Sequence, residues 1–271
     1  MSMIEFLLLP FLGVLIGIVA AMIGIGGGVF IVPLLTLLPL YGLSTTQAVG
    51  TSLAAIVFTS LASTANYSRQ KRIDYKTGLI LAAVTIPGAW VGAYLTSIVE
   101  ERLLGLIFGF FLIFVAVRMI FKLNFLSLQR SSAGTGVRCR IVDSEGSVFE
   151  YDADVWLGFV LSFFGGLASG LLGIGGGSVL VPLMTLVMCI PIHVTVATSM
   201  FIMVFTSMSG VVQHFLSGNV RFEYALPLAS GTVFGAQLGA YISKRVSSGN
   251  LRRIFGVILV FISVRMILKF I

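Results

Sequence analysis

Two five-residue runs, Gly24-Ile25-Gly26-Gly27-Gly28 and Gly173-Ile174-Gly175-Gly176-Gly177, are where the backbone of this chain is equipped for chemistry. Each lies inside an apolar segment, where every glycine costs a helix about 1 kcal/mol relative to alanine. Four glycines in five residues therefore predict a break. In hydrocarbon such a break leaves backbone N–H groups unpaired, at several kcal/mol each, unless protein, water or a ligand supplies acceptors. Glycine also admits positive φ and lets a ligand approach the amides closely. Where the chain restarts as a helix, its positive dipole end faces the break. The expected product is a backbone cradle for a small anion, built by Gly24, Gly26, Gly27 and Gly28 and again by Gly173, Gly175, Gly176 and Gly177. The plainer use of such glycines is close helix packing through small residues.

A polar stripe accompanies each run. Ser52, Thr59 and Asn66 are seven residues apart, as are Ser199, Thr206 and Gln213. Seven residues is about two helical turns, so each trio shares a face. Thr51 and Thr198 flank the upper ends. Hydroxyl and amide donors suit an oxyanion, whereas the plainer reading has each hydroxyl bonding its own i−4 carbonyl. His214, at the foot of the second stripe, is a candidate carrier of a coupling proton; an interfacial histidine is its plainer role. The other histidine is His193. Arg118 and Arg265, at equivalent places near helix ends, read as snorkelling arginines or as attractors of an anion. Trp90 and Trp156 read as anchors.

Enzymatic readings find little support. Gly177-Ser178 lacks the GxSxG spacing, and the position matching Ser178 in the other run is Val29. No HExxH, no close carboxylate pair within the apolar segments and no metal-ligand cluster occurs, so no metal and no cofactor is expected. A serine protease within the membrane, using Ser178 or Ser199 with His214, is the weakest alternative. Cys139 and Cys189 form neither a CxxC motif nor a disulfide framework.

The elements that position these residues repeat. The first run continues as VFIVPLLT and the second as SVLVPLMT, and Pro33 and Pro182 stand at the same spacing from their glycines. Further on, Thr51-Ser52 matches Thr198-Ser199, Gly92-Ala93-Tyr94 matches Gly239-Ala240-Tyr241, and Arg118-Met119-Ile120 matches Arg265-Met266-Ile267. Five apolar segments are expected per half: 3–23, 29–38, 45–67, 77–99 and 103–121, then 154–172, 178–190, 194–215, 224–243 and 251–271. The second of each is short enough to be either a re-entrant half-helix or a crossing completed by the residues after it. Three domains are expected: 1–121, a first transmembrane repeat; 122–153, a cytoplasmic polar loop; and 154–271, a second transmembrane repeat. In the loop, alternating residues around Glu145-Gly146 suggest a small β-hairpin.

Only 10% of the residues are charged against 58% hydrophobic, with mean hydropathy +1.08. Soluble domains carry about 25% charged residues, so this composition belongs in lipid. Residues 6–68 contain no Asp, Glu, Lys or Arg, which is enough for about three spans of about 20 residues each. Glu5 stands ahead of this stretch with no Lys or Arg, so a cleaved signal is not expected there. The net charge of +7 reads as basic cytoplasmic loops rather than as affinity for nucleic acid. Placing loop 69–76, with Arg69, Lys71, Arg72 and Lys76, in the cytoplasm puts most of the 17 basic residues on that side. Lys244, Arg245, Arg252 and Arg253 then also fall inside, and both termini fall outside. Equivalent loops of the halves lie on opposite faces. The expected class is an all-α polytopic membrane protein of two inverted repeats, each a glycine-broken hairpin plus three transmembrane helices.

With the two GIGGG…P runs and the Thr-Ser pairs in view, residues 4–271 resemble the TauE/SafE family of sulfite exporters. The resemblance implies a carrier of small sulfur oxyanions, such as sulfite, or of organosulfonates, such as sulfoacetate, in the plasma (inner) membrane of a prokaryote. It maps the glycine signature onto the eight glycines above and the TS positions onto Thr51, Ser52, Thr198 and Ser199. The polar loop between the halves is longer than in minimal members. The expected function is export of such an anion by alternating access, the two halves rocking or sliding about one site. Its partners are the anion and the bilayer. The alternative is an anion channel or a non-transporting membrane sensor.

Overall fold

The structure, a computed structural model, describes residues 3–38, 41–121, 137–153, 155–243 and 248–271. Residues 122–136 of the polar loop, Lys244 and Arg245, and the side chains of Glu5, Arg118, Arg252 and Arg253 lie outside that description. The first half forms α1 (Met3–Ile23), α2 (Gly28–Leu37), α3 (Thr45–Arg69), α4 (Tyr75–Ile98) and α5 (Glu101–Phe121). A two-stranded antiparallel ribbon follows, β1 (Val137–Val142) on β2 (Val148–Ala153), in a register that pairs Cys139 with Tyr151. The second half forms α6 (Val155–Leu172), α7 (Gly177–Pro182), a π-helical turn (Leu183–Val187), α8 (Ile192–Leu216), α9 (Phe222–Ile242) and α10 (Ser248–Phe270). The protein is an all-α membrane protein.

Helix starts follow their caps. The Ser44 side chain accepts from the Gln47 amide at 3.3 Å ahead of α3, and Asp74 accepts from Thr77 at 3.1 Å ahead of α4. Such caps satisfy first-turn amides that have no partner inside the helix. By length and composition, α3, α4 and α8 suffice to cross a membrane. The 10 residues of α2 rise only about 15 Å, half the hydrocarbon core of about 30 Å.

The halves are interleaved. The tightest packing joins α1 to α9, α4 to α6, α5 to α10, α3 to both α8 and α9, and α8 to α4, each pair drawn from different halves. Exchanging the halves turns this set of pairs into itself, as a two-fold relation requires. Glycines spaced by four residues allow the closest approach. A Cβ on Gly13 or Gly17 of α1 would strike the backbone of α9 at Leu228 or Thr232, and Gly231, Gly235 and Gly239 of α9 sit as tightly on α1. Gly88 and Gly92 of α4 press on α6 in the same way. The main helix contacts therefore run between the halves rather than within them.

The ribbon docks on the α3–α4 loop. The Arg72 guanidinium reaches Asp143 at 3.0 Å, and both side chains are nearly fully buried. Asp143 also accepts from the amides of Glu145 and Ser147. Burial alone would raise the Asp143 pKa; the Arg72 hydrogen bond and charge, with those two amides, outweigh it and hold the carboxyl below its usual range. The Tyr151 hydroxyl donates to Asp74 Oδ2 at 2.8 Å. Burial, then the neighbouring Asp74, raises the Tyr151 pKa far above its usual value, so Tyr151 stays a donor. Tyr151 and Ala153 complete an apolar cluster with Leu81, Met184, Met188 and Val194.

Candidate functional site

Both glycine runs break as expected. Gly24, Gly26 and Gly27 take φ of +80°, +79° and +90°, and Gly173, Gly175 and Gly176 take +68°, +74° and +85°. These are left-handed conformations that residues with a Cβ rarely adopt. Gly28 and Gly177 have a different reason to be glycine. A Cβ on Gly28 would run into the Gly173 carbonyl, and one on Gly177 into that of Gly24. The two turns therefore abut, each pressed on the carbonyl that opens the other.

The stripe residues complete this junction from the opposite half. The Ser199 hydroxyl donates to the Gly24 carbonyl at 3.1 Å, and Ser52 donates to the Gly173 carbonyl. The exchange continues outward. The Thr59 and Thr232 hydroxyls share a hydrogen bond at 2.8 Å, as do Thr206 and Thr85. Thr198 Oγ1 accepts from the Asp74 amide at 2.9 Å, and Thr51 Oγ1 from the Arg221 amide at 3.1 Å. The Tyr67 hydroxyl donates to the Ala21 carbonyl at 2.9 Å, and His214, its counterpart, donates from Nε2 to the Gly170 carbonyl at 3.1 Å. Asn66 Nδ2 donates to Gln237 O at 3.1 Å on α9. Gln213 is buried beside His214.

These hydroxyls do not line an open hollow in this conformation. Thr51, Ser52, Thr59, Thr198, Ser199 and Thr206 are fully buried and tie one half to the other. The reason is local. A hydroxyl on a buried face between helices must find a partner; Thr59, Ser199 and Thr206 bond a carbonyl of their own helix, at Ala55, Val196 and Ile202, as well as a group of the other repeat.

The turns keep unmet donors. Among the described residues, no acceptor reaches the amides of Gly26, Gly27 and Gly28, or of Gly175, Gly176 and Gly177. Of the carbonyls at the same junction, those of Gly24 and Gly173 are taken by serine hydroxyls, while no donor among the described residues reaches those of Ile25, Gly26, Ile174 and Gly175. The second turn adds Ser169 and Ser178, whose buried Oγ atoms find no partner; their counterparts are Ala20 and Val29. Successive unmet backbone amides at a turn make a concavity that can accept negative charge. Nδ1 of His214 also lacks a partner.

Other candidates fall elsewhere. Arg265 is exposed on α10 and borders an apolar groove of about 400 Å³ between α1, α2 and α10. Trp90 and Trp156 are exposed. His193 packs near Phe149 of the ribbon. Sequence reasoning missed Ile56 and Met203, whose fully buried side chains lie against both turns. It also missed Thr85 and Thr232, which the repeat spacing itself relates.

Residues 9–266 match the family described as "Sulfite exporter TauE/SafE". The chain is 37% identical over 268 residues to "Probable membrane transporter protein YunE" of Bacillus subtilis, covering 97% of both chains. It is 27% identical over 262 residues to "Probable membrane transporter protein MJ0441" of Methanocaldococcus jannaschii, covering 91% of this chain and 90% of that one. A "Probable membrane transporter protein" of Haemophilus influenzae is 28% identical over 285 residues, covering 98% of this chain and all of the relative. No solved structure matches the chain. The chain belongs to the TauE/SafE sulfite exporter family and is a multi-pass membrane transporter.

Proposed function

We propose that this transporter moves a small sulfur oxyanion, sulfite or an organosulfonate such as sulfoacetate, out of a prokaryotic cell across its inner membrane. One observation carries the reading: at the junction of the two glycine turns the carbonyls of Gly173 and Gly24 are engaged by Ser52 and Ser199, while the amides beside them are unmet. Unmet amides clustered at two facing turns can solvate an anion. The family supports sulfur oxyanions as the cargo.

The structure fits a closed state in which the site is sealed from both sides. Because the halves interleave, the bodies that move in alternating access are mixed: α1 and α9 with α3, against α6 and α4 with α8. The bonds of Ser52 to the Gly173 carbonyl and of Ser199 to the Gly24 carbonyl cross the seam between them, while Thr59 with Thr232 and Thr206 with Thr85 hold each body together. An inside-negative potential favours anion exit by about 2.3 kcal/mol per charge per 100 mV, so export needs no second ion. Two inverted repeats would place the same seam opposite each face of the membrane in turn.

The test is flux of labelled sulfite and sulfoacetate in proteoliposomes. Saturable flux is expected, lost when Gly26→Leu is combined with Gly175→Leu. Flux unchanged in that double variant overturns the cradle, and currents that never saturate point to a channel.

A further inference from the structure

We infer that Ile56 and Met203 form the gate over the turn amides and set the size of anion that reaches them; this rests on the anion site proposed above. The two are counterparts in the repeat, each one helical turn beyond its serine: Ile56 after Ser52 on α3, Met203 after Ser199 on α8. Both are fully buried. Each crosses to both glycine runs. A Cβ built on Gly26 would lie 2.7 Å from Met203 Sδ and 3.4 Å from Ile56 Cγ2. One on Gly175 would lie 2.9 Å from Ile56 Cγ2 and 3.2 Å from Met203 Sδ. Ile56 Cδ1 stands 2.9 Å from a Cβ position on Gly28, and Met203 Sδ stands 2.9 Å from that on Gly177. The space on the side-chain side of both turns, beside the unmet amides, is thus filled by two apolar side chains.

An anion contacts those amides only when this pair withdraws. The two members are not equally able to do so. Isoleucine is branched at Cβ and held to one χ1 well in a helix. Methionine is unbranched, with three rotatable bonds and a soft thioether that adapts to its surroundings. Met203 is the leaf that swings, and Ile56 is the wall it closes on. The opening is therefore governed by the volume and the stiffness at position 203.

The experiment uses the full chain in proteoliposomes, with labelled sulfite and sulfoacetate as cargo and benzenesulfonate as a bulky competitor. Met203→Ile, which places the first half's residue in the second, should slow sulfoacetate by about tenfold relative to sulfite. Met203→Ala should let benzenesulfonate compete where it does not in the parent protein. Met203→Leu conserves volume and keeps the core packed; it should give an intermediate sulfite-to-sulfoacetate ratio. Should Met203→Ala fail to fold, the leucine variant decides alone, and an unchanged ratio overturns the gate. If all Met203 variants keep the parent size limit while Gly26→Leu with Gly175→Leu abolishes flux, the gate is wrong and the anion site stands. If the glycine variant also transports normally, the site itself is wrong and the gate falls with it.

Discussion

Ser199 of α8 donates its hydroxyl to the carbonyl of Gly24, 175 positions earlier, and Ser52 returns the same bond to Gly173. Each repeat thereby closes the glycine turn of the other. This reciprocal pair sits at the centre of a series of two-fold-related bonds that includes Thr59 with Thr232 and Thr206 with Thr85.

Removing one hydroxyl leaves a buried carbonyl alone. Ser199→Ala is expected to cost about 1–3 kcal/mol, and Ser52→Ala a similar amount. Thermal unfolding in detergent should show a lowered Tm for each. An unchanged Tm in both would mean that the bonds do not hold the turns together.

The glycines separate by mechanism. Gly28→Ala and Gly177→Ala drive a methyl into the carbonyl of the facing turn and should prevent a monodisperse protein from forming, read by size-exclusion chromatography. Gly146→Ala is the control. It has a φ of +84° but nothing within 4 Å of the added Cβ, so it should cost only about 1 kcal/mol and leave flux intact.

His214 occupies the place that Tyr67 holds in the first half, and both donate to a backbone carbonyl. That equivalence predicts a structural tie. His214→Tyr should keep sulfite flux and its pH profile, whereas His214→Ala should lower Tm. A folded His214→Tyr protein without flux would instead assign a proton to this ring.

The ribbon is held by charge at neutral pH. The Asp143 carboxyl ionises more readily in the folded protein than in the unfolded chain, so its contribution is complete above the ordinary carboxylate pKa of about 3.9. It is lost as pH falls through the depressed folded value. Asp143→Asn leaves Arg72 buried without its partner and should destabilise the ribbon by about 3 kcal/mol. Hydrogen exchange across β1 and β2 should then accelerate at pH 7, and in the parent protein only in strong acid.

Much of the helical plan was readable from the residues. The expected segment 3–23 is α1 to the residue, and 45–67 falls within α3, because long apolar runs end at Gly, Asn or charged loops. The breaks at Gly24 and Gly173 were readable from glycine's cost in a helix, and their positive φ values favour a break over continuous close helix packing. The partners of the stripe were not. A hydroxyl announces that it needs an acceptor but not which helix supplies it; here Thr59 and Thr206 meet their own i−4 carbonyls, at Ala55 and Ile202, as well as a threonine of the other repeat. Ile56 and Met203 carried no mark among so many apolar neighbours. The contact of α1 with α9 did leave a signal, the four-residue spacing of Gly13 and Gly17 and of Gly231, Gly235 and Gly239.

Interleaving also governs how such a chain is made. When Met3–Ile23 leaves the ribosome, its main partner, Phe222–Ile242, has not been synthesised. The Gly24 turn waits equally long for Ser199. Half a chain must therefore rest in the bilayer with its small-residue faces and loosened backbone uncovered, and maturation is a late, concerted docking rather than the stepwise addition of finished hairpins. Quality control has its target there: the nascent first repeat is the form most exposed to proteases that survey the membrane.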